Sequence, residues 1–211
     1  MRILGIAAYA ALFACNMPRL AKAAVPCGQT VDAPLRSSAT LSIRSIAAAI
    51  EVVATDHDSV HVSCSADDVA SARQIQVHLS ETSTGAKLTL TGPHPRHGNI
   101  IVRIEVPRKT NLGMQLAAGD IKVADVIGDK DLRLRAGAIT VSSTDAANYK
   151  EVRASVSIGE VSVLADGETK AGFFRNFRKQ DPNGKYLLHA DVTTGKIVLV
   201  GMATHDAVKA Q

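Results

Sequence analysis

Between residues 112 and 141 apolar and polar positions alternate along the chain, and twice the alternation changes phase at a glycine. Met114, Leu116 and Ala118 stand two apart, Gly119 follows, and the apolar series resumes at Ile121 and Val123. Leu132, Leu134, Ala136, Gly137, Ile139 and Val141 repeat the figure. Two further copies are Ala154, Val156, Ile158, Gly159, Val161, Val163 and Ala190, Val192, Thr194, Gly195, Ile197, Leu199. A period of two predicts a strand with one buried face. A one-residue slip at glycine predicts a corner or bulge, where a Cβ would clash. Each copy therefore reads as strand, corner, strand, with Lys122, Arg133, Arg135, Thr140, Arg153, Ser155, Glu160, Ser162 and Lys196 on the solvated face.

The glycines are 18, 22 and 36 residues apart. The last spacing is twice the first, which predicts a degenerate copy or an inserted loop between Gly159 and Gly195. Upstream the figure is weaker. Ile50 and Val52 after Ala48 form a worn first copy, and alternation recurs at Val60–Cys64, Ile75–Leu79, Leu88–Leu90 and Val102–Val106. Turn-forming stretches separate these runs at residues 56–58, 84–85 and 92–95. No helical period exceeds a turn after residue 23, except around Ala66–Ala72. The expected class is all-β, a repeat array of short strands with glycine corners, like a β-solenoid or β-helix, in which each unit buries its face against the next.

Several of these segments carry a resemblance. Residues 102–107 (VRIEVP), Asn111 with Leu112, residues 118–123 (AGDIKV), Gly128 with Asp129, and residues 132–137 (LRLRAG) resemble the bacterial putative-adhesin β-strand-repeat family. The resemblance covers roughly residues 41–201 and departs at Ala138 and Glu160, where the family more often has Asp. It implies β layers in an exported or envelope protein, and no particular chemistry, since architecture does not fix function.

Residues 1–23 read as a secretory signal peptide, with Arg2 in a short positive region, an apolar run over 3–14 and a small-residue exit at Ala21 and Ala23. A second reading takes residues 12–15 (LFAC) as a lipobox with Cys15 lipidated. The expected organisation is then 1–23 signal peptide, 24–40 N-terminal extension, 41–201 repeat domain and 202–211 C-terminal tail. The formal charge of +4 changes with this division: beyond residue 23 there are 21 basic and 20 acidic side chains. A nearly neutral chain has lost the main signature of a nucleic-acid binder. Cys27 and Cys64 form an even pair in an oxidising compartment, which predicts a disulfide; the other reading keeps Cys64 as a core thiol.

Candidate chemistry is sparse. Residues 56–58 with His61, and His94 with His97, have metal-like spacing but lie in turns and lack further ligands. Asp120, Asp125, Asp129 and Asp131 cluster around one repeat, at corners where Asp suits the backbone. No nucleophile elbow, phosphate loop or zinc-protease motif occurs, so no enzyme, cofactor or metal is expected. The exception to this plainness is residues 170–185 (KAGFFRNFRKQDPNGK), where Phe173, Phe174 and Phe177 interleave with Arg175, Arg178 and Lys179. This candidate interaction loop reads either as a cap, with at least two rings buried over the open end of the array, or as a contact for a partner or membrane. The functional expectation is a non-enzymatic envelope scaffold or adhesin-like interaction module. The alternatives are a polysaccharide-binding or polysaccharide-degrading β-helix, and a self-assembling β-helix. A sugar-binding face would carry aromatics and carboxylates, whereas the outward positions here are mostly Arg, Lys, Ser and Thr.

Overall fold

The computed structural model describes residues 24–93, 100–143, 146–164 and 168–201. The chain is all-β, as the alternation implies. Its strands are β1 (Val25–Pro26), β2 (Val31–Pro34), β3 (Thr40–Thr55), β4 (Ser59–Ala66), β5 (Gln76–Thr82), β6 (Gly85–Thr91), β7 (Ile100–Pro107), β8 (Asn111–Ala124), β9 (Lys130–Ser142), β10 (Tyr149–Val163), β11 (Glu168–Gln180) and β12 (Tyr186–Val200). They make one 12-stranded sheet that does not close on itself. A six-residue helix, α1 (Val69–Gln74), joins β4 to β5. No helix among the described residues is long and apolar enough to cross a membrane.

Five long strands lie side by side and parallel in the order β3, β8, β9, β12, β10. The four-copy motif explains the register, because glycine stands beside glycine: Gly119 pairs with Gly137, Gly137 with Gly195, and Gly195 with Gly159. Ala48 takes the equivalent place in β3. On either side of the corner, inward residues form rows across the strands. Ile50, Ile121, Ile139, Ile197 and Val161 make one row, all nearly solvent-free. Burying each such side chain is worth roughly 1.5–3 kcal/mol relative to leaving it exposed.

The corner bends β8 back toward its own start. Leu112 pairs in parallel with Lys130, yet only Asp125–Asp129 separate β8 from β9. That link reaches at most ~21 Å, whereas a straight strand as long as β8 would run ~43 Å. The end of β8 must therefore return close to its start, and Gly119 sits at the bend with φ 113°.

The wide gap between Gly159 and Gly195 holds a degenerate copy of opposite direction: in β11, Gly172 pairs with Gly159 and has φ 123°. β11 turns back antiparallel along the outside of β10, and the chain then crosses residues 148–150 to place β12 between β9 and β10. Gly184 makes that crossing possible: a Cβ there would lie 2.2 Å from the Lys150 nitrogen. At the other end, β3 is flanked by β6 along its first half and by β7 along its second. Antiparallel β5 and β4 cover β6 and β7, and β1 and β2 pair with β5 and β4. Residues 25–34 thus contribute two short strands to the same sheet.

Candidate functional site

Cys27 and Cys64 are joined by a disulfide with a Cα–Cα distance of 5.0 Å. The Cys27 amide donates to the Ile75 carbonyl and the Gly28 amide to that of Cys64. The bond fastens the turn after β1 to β4. Both cysteines are buried in an end built from Val31, Ala33, Val60, Val62, Val77 and Leu79.

Gly119, Gly137, Gly159 and Gly195 have φ of 113°, 133°, 140° and 140°. A Cβ on Gly137 would fall 1.8 Å from the Gly119 carbonyl oxygen, and one on Gly159 1.7 Å from that of Gly195. The backbones meet too closely at the corner for any side chain. The aspartates that cluster in sequence serve the same stack. The Asp120 carboxylate accepts the Ala138 amide at 3.2 Å, Asp129 accepts the Leu187 amide at 2.9 Å, and Asp131 pairs with Arg133. Asp125 occupies a left-handed turn position with φ 55°. Asp120 and Asp129 thus tie neighbouring strands together, Asp131 pairs within its own strand, and the described aspartates do not converge on a metal-like cluster.

Residues 168–180 form a strand, β11, rather than the loop suggested by their mixture of charge and phenylalanine. The reason is pairing: from Glu151↔Gln180 to Val163↔Glu168 the segment follows β10 closely enough to complete an antiparallel ladder. Only one ring behaves as a cap. Phe177 is 5% exposed and pairs with the small Ala154, with Ala190 next in the same row. Phe173 is 68% exposed and Phe174 81%. The cap reading, with at least two rings buried, is thereby corrected to a single buried ring. Phe173 pairs with Ile158, the position before the corner, which is itself exposed, and Phe174 beside it adopts a left-handed backbone with φ 52°.

The cations of β11 behave differently from one another. Arg178 donates to Glu151 at 2.8 Å, beside a second bond from Arg153 at 2.6 Å. These bonds, Arg153 first, hold the Glu151 carboxyl below its ordinary pKa. Arg175 folds over Gly172. By register, Lys179 continues the inward row of Val152, Arg175 that of Val156 and Lys170 that of Val161. The apolar rows therefore end in charge at three places on β11.

Two grooves run across the outer face. One, of about 690 Å³, follows the glycine corner and is walled by Ile158 and Phe173 at the β11 end, with Glu160 and Lys196 beside it. The other, of about 750 Å³, lies just before the corner and extends from Thr89 on β6 to Ser157 on β10. It contains Arg44, Arg133 and Arg135.

One inward position escaped the sequence. Lys130 stands in the row of Leu41, Leu112, Leu188 and Val152 and is 2% exposed. Its ammonium donates to the Val126 carbonyl at 2.7 Å, the Gly128 carbonyl at 3.1 Å and the Tyr149 hydroxyl, and lies 4.7 Å from the Tyr149 ring centre. Burial lowers its pKa from 10.5 to about 7, against the opposing pull of Asp129.

The candidate metal ligands do not assemble. His61 Nδ1 meets Asp32 at 2.6 Å on the surface, and among the described residues no three His, Cys, Asp or Glu side chains are grouped as a metal site. Cys15, His94 and His97 lie outside the described residues, as do the segments 1–23 and 202–211.

No family model matches the chain. No curated protein matches it. Among solved structures, one described as a putative cell adhesion protein from Clostridium sporogenes is similar over 82% of this chain and 98% of that chain, with 10% identity and a TM-score of 0.48.

Proposed function

We propose that the chain is an exported, non-enzymatic envelope protein: an adhesin-like β-repeat module, coiled as a β-solenoid, that meets its partner through β11. The observation that carries this reading is the exposure of Phe173 and Phe174 on the last strand of the sheet, beside Ile158 at 49%. Large exposed aromatics that lie together, with cations nearby, favour contact with another surface. Export is supported by the Cys27–Cys64 disulfide, which persists in oxidising compartments. The solenoid reading is supported by the short β8–β9 link between parallel neighbours. A self-assembling filament is disfavoured, because Lys179, Arg175 and Lys170 would meet any strand continuing the inward rows.

The test has two parts. A tagged full-length chain is fractionated and the mass of its mature N-terminus measured; a periplasmic or surface pool beginning after Ala23, or lipidated at Cys15, is the expected result. Purified protein is then applied to isolated envelopes of its own cell. Native protein should be retained, and a Phe173→Ser/Phe174→Ser variant should wash through. Equal retention of both proteins would rule out β11 as the contact, and an unprocessed cytoplasmic pool would rule out export.

A further inference from the structure

We propose that the groove before the glycine corner binds an acidic polysaccharide, a linear hexuronate chain lying across the strands. The groove is built from two outward rows. Arg44, Gln115, Arg133, Asp191 and Ser155 stand side by side in the first by register. Ile46, Ala117, Arg135, Thr193 and Ser157 follow in the second, two residues further along the same strands. Strands β3 to β10 are separated by four inter-strand steps, so the trough spans ~19 Å perpendicular to the strands. Its shape suits an extended chain rather than a compact small molecule.

The charges select the ligand. Arg133 is held by both oxygens of Asp131, at 3.0 Å each. Arg44 and Arg135 are exposed and make no ion pair among the described residues. Two guanidinium forks are therefore open to carboxylates. They stand two strands across and two residues along from one another, ~12 Å, so one extended acidic chain lying across the strands can reach both. Asp191, whose carboxylate takes the Ser155 hydroxyl, lies on the strand beside Arg135. A carboxylate there accepts hydroxyl donors, which a sugar chain supplies on every unit beside its carboxylates. Thr193 and Ser157 add further hydroxyls to the floor. No ring lines the groove, which removes the stacking platform that single-stranded nucleic acid uses. Neutral sugars also lack their usual aromatic platform here. A hydroxyl-rich chain with one carboxylate per unit satisfies all of these groups together.

This groove lies apart from Phe173, so its test is independent of the β11 contact. The purified full-length chain is titrated with oligogalacturonate by calorimetry, beside the methyl-esterified oligomer and single-stranded DNA. Binding to the free acid, weakened by salt and lost on esterification, is expected. The Arg44→Ala/Arg135→Ala variant should bind about tenfold more weakly or worse, with the native melting temperature, and Phe173→Ser/Phe174→Ser should bind normally. The proposal is overturned if the oligouronate does not bind, if esterification or the arginine variant leaves binding unchanged, or if DNA binds more tightly than the oligouronate.

Discussion

At the β4–β5 end the inward rows continue into Val62, Cys64, Val77 and Leu79, all buried, and a disulfide ties the covering strands down. At the β11 end the equivalent rows run into Lys179, Arg175 and Lys170, and Phe177 alone is buried. Both ends must stop a stack that would otherwise invite another strand. The first does so with apolar cover and strands as short as two residues. The second uses charge in the inward rows, which repels further stacking and adds little cohesion. That difference predicts a division of labour: apolar cover and a disulfide at the β4–β5 end, and exposed Phe173 and Phe174 on β11.

The comparison rests on the middle that both ends share, and the largest effect is expected there. Gly137→Val places a branched side chain at φ 133° with its Cβ 1.8 Å from the Gly119 oxygen. Strain and overpacking together should destabilise the fold by ~4 kcal/mol. Thr140→Val, on the outer face of the same strand, should stay within about 0.5 kcal/mol. Urea denaturation distinguishes the two, and similar midpoints would refute the corner.

The next largest effect concerns the apolar end. The disulfide closes a 37-residue separation. Its removal in Cys27→Ser/Cys64→Ser should cost ~2–4 kcal/mol, measured by urea midpoint. A variant as stable as the native chain would mean that this end is held by packing alone.

A smaller effect sharpens the account of the interior. Lys130 has a folded-state pKa of about 7, against 10.5 for a lysine in water. Below pH 7 both states hold the proton and the burial penalty is fully present. Between pH 7 and 10.5 the unfolded chain binds more protons than the folded one, so stability rises with pH. The slope reaches at most ~1.4 kcal/mol per pH unit. Lys130→Met should flatten that rise in melts taken from pH 7 to 10, and a parallel rise in both proteins would contradict it.

Much of this was legible in the sequence, for identifiable reasons. The corners could be read because a glycine that shifts a period of two leaves a mark on both sides of itself. The order of strands could not. β10 and β12 carry the same alternation, so nothing in either sequence says that β12 inserts beside β9. β11 was obscured because its inward positions hold Lys179, Arg175 and Lys170, which erase the apolar alternation that announces a strand. Lys130 was hidden in the same way: a charged residue directly after Gly128 and Asp129 gives no apolar signal, although the register sets the lysine in a leucine row. The groove was unreadable, since Arg44 and Arg135 lie 91 residues apart and meet only through strand order.

The central claim is that β11 contributes to stability through one ring and to contact through two. It is tested most directly by melting two variants side by side. Phe177→Ala should lose ~3 kcal/mol, the cost of emptying a packed site. Phe173→Ser/Phe174→Ser should melt within about 0.5 kcal/mol of the native protein, as exposed substitutions do. If the double variant instead falls as far as Phe177→Ala, the two exposed rings are structural and β11 is a cap rather than a contact strand.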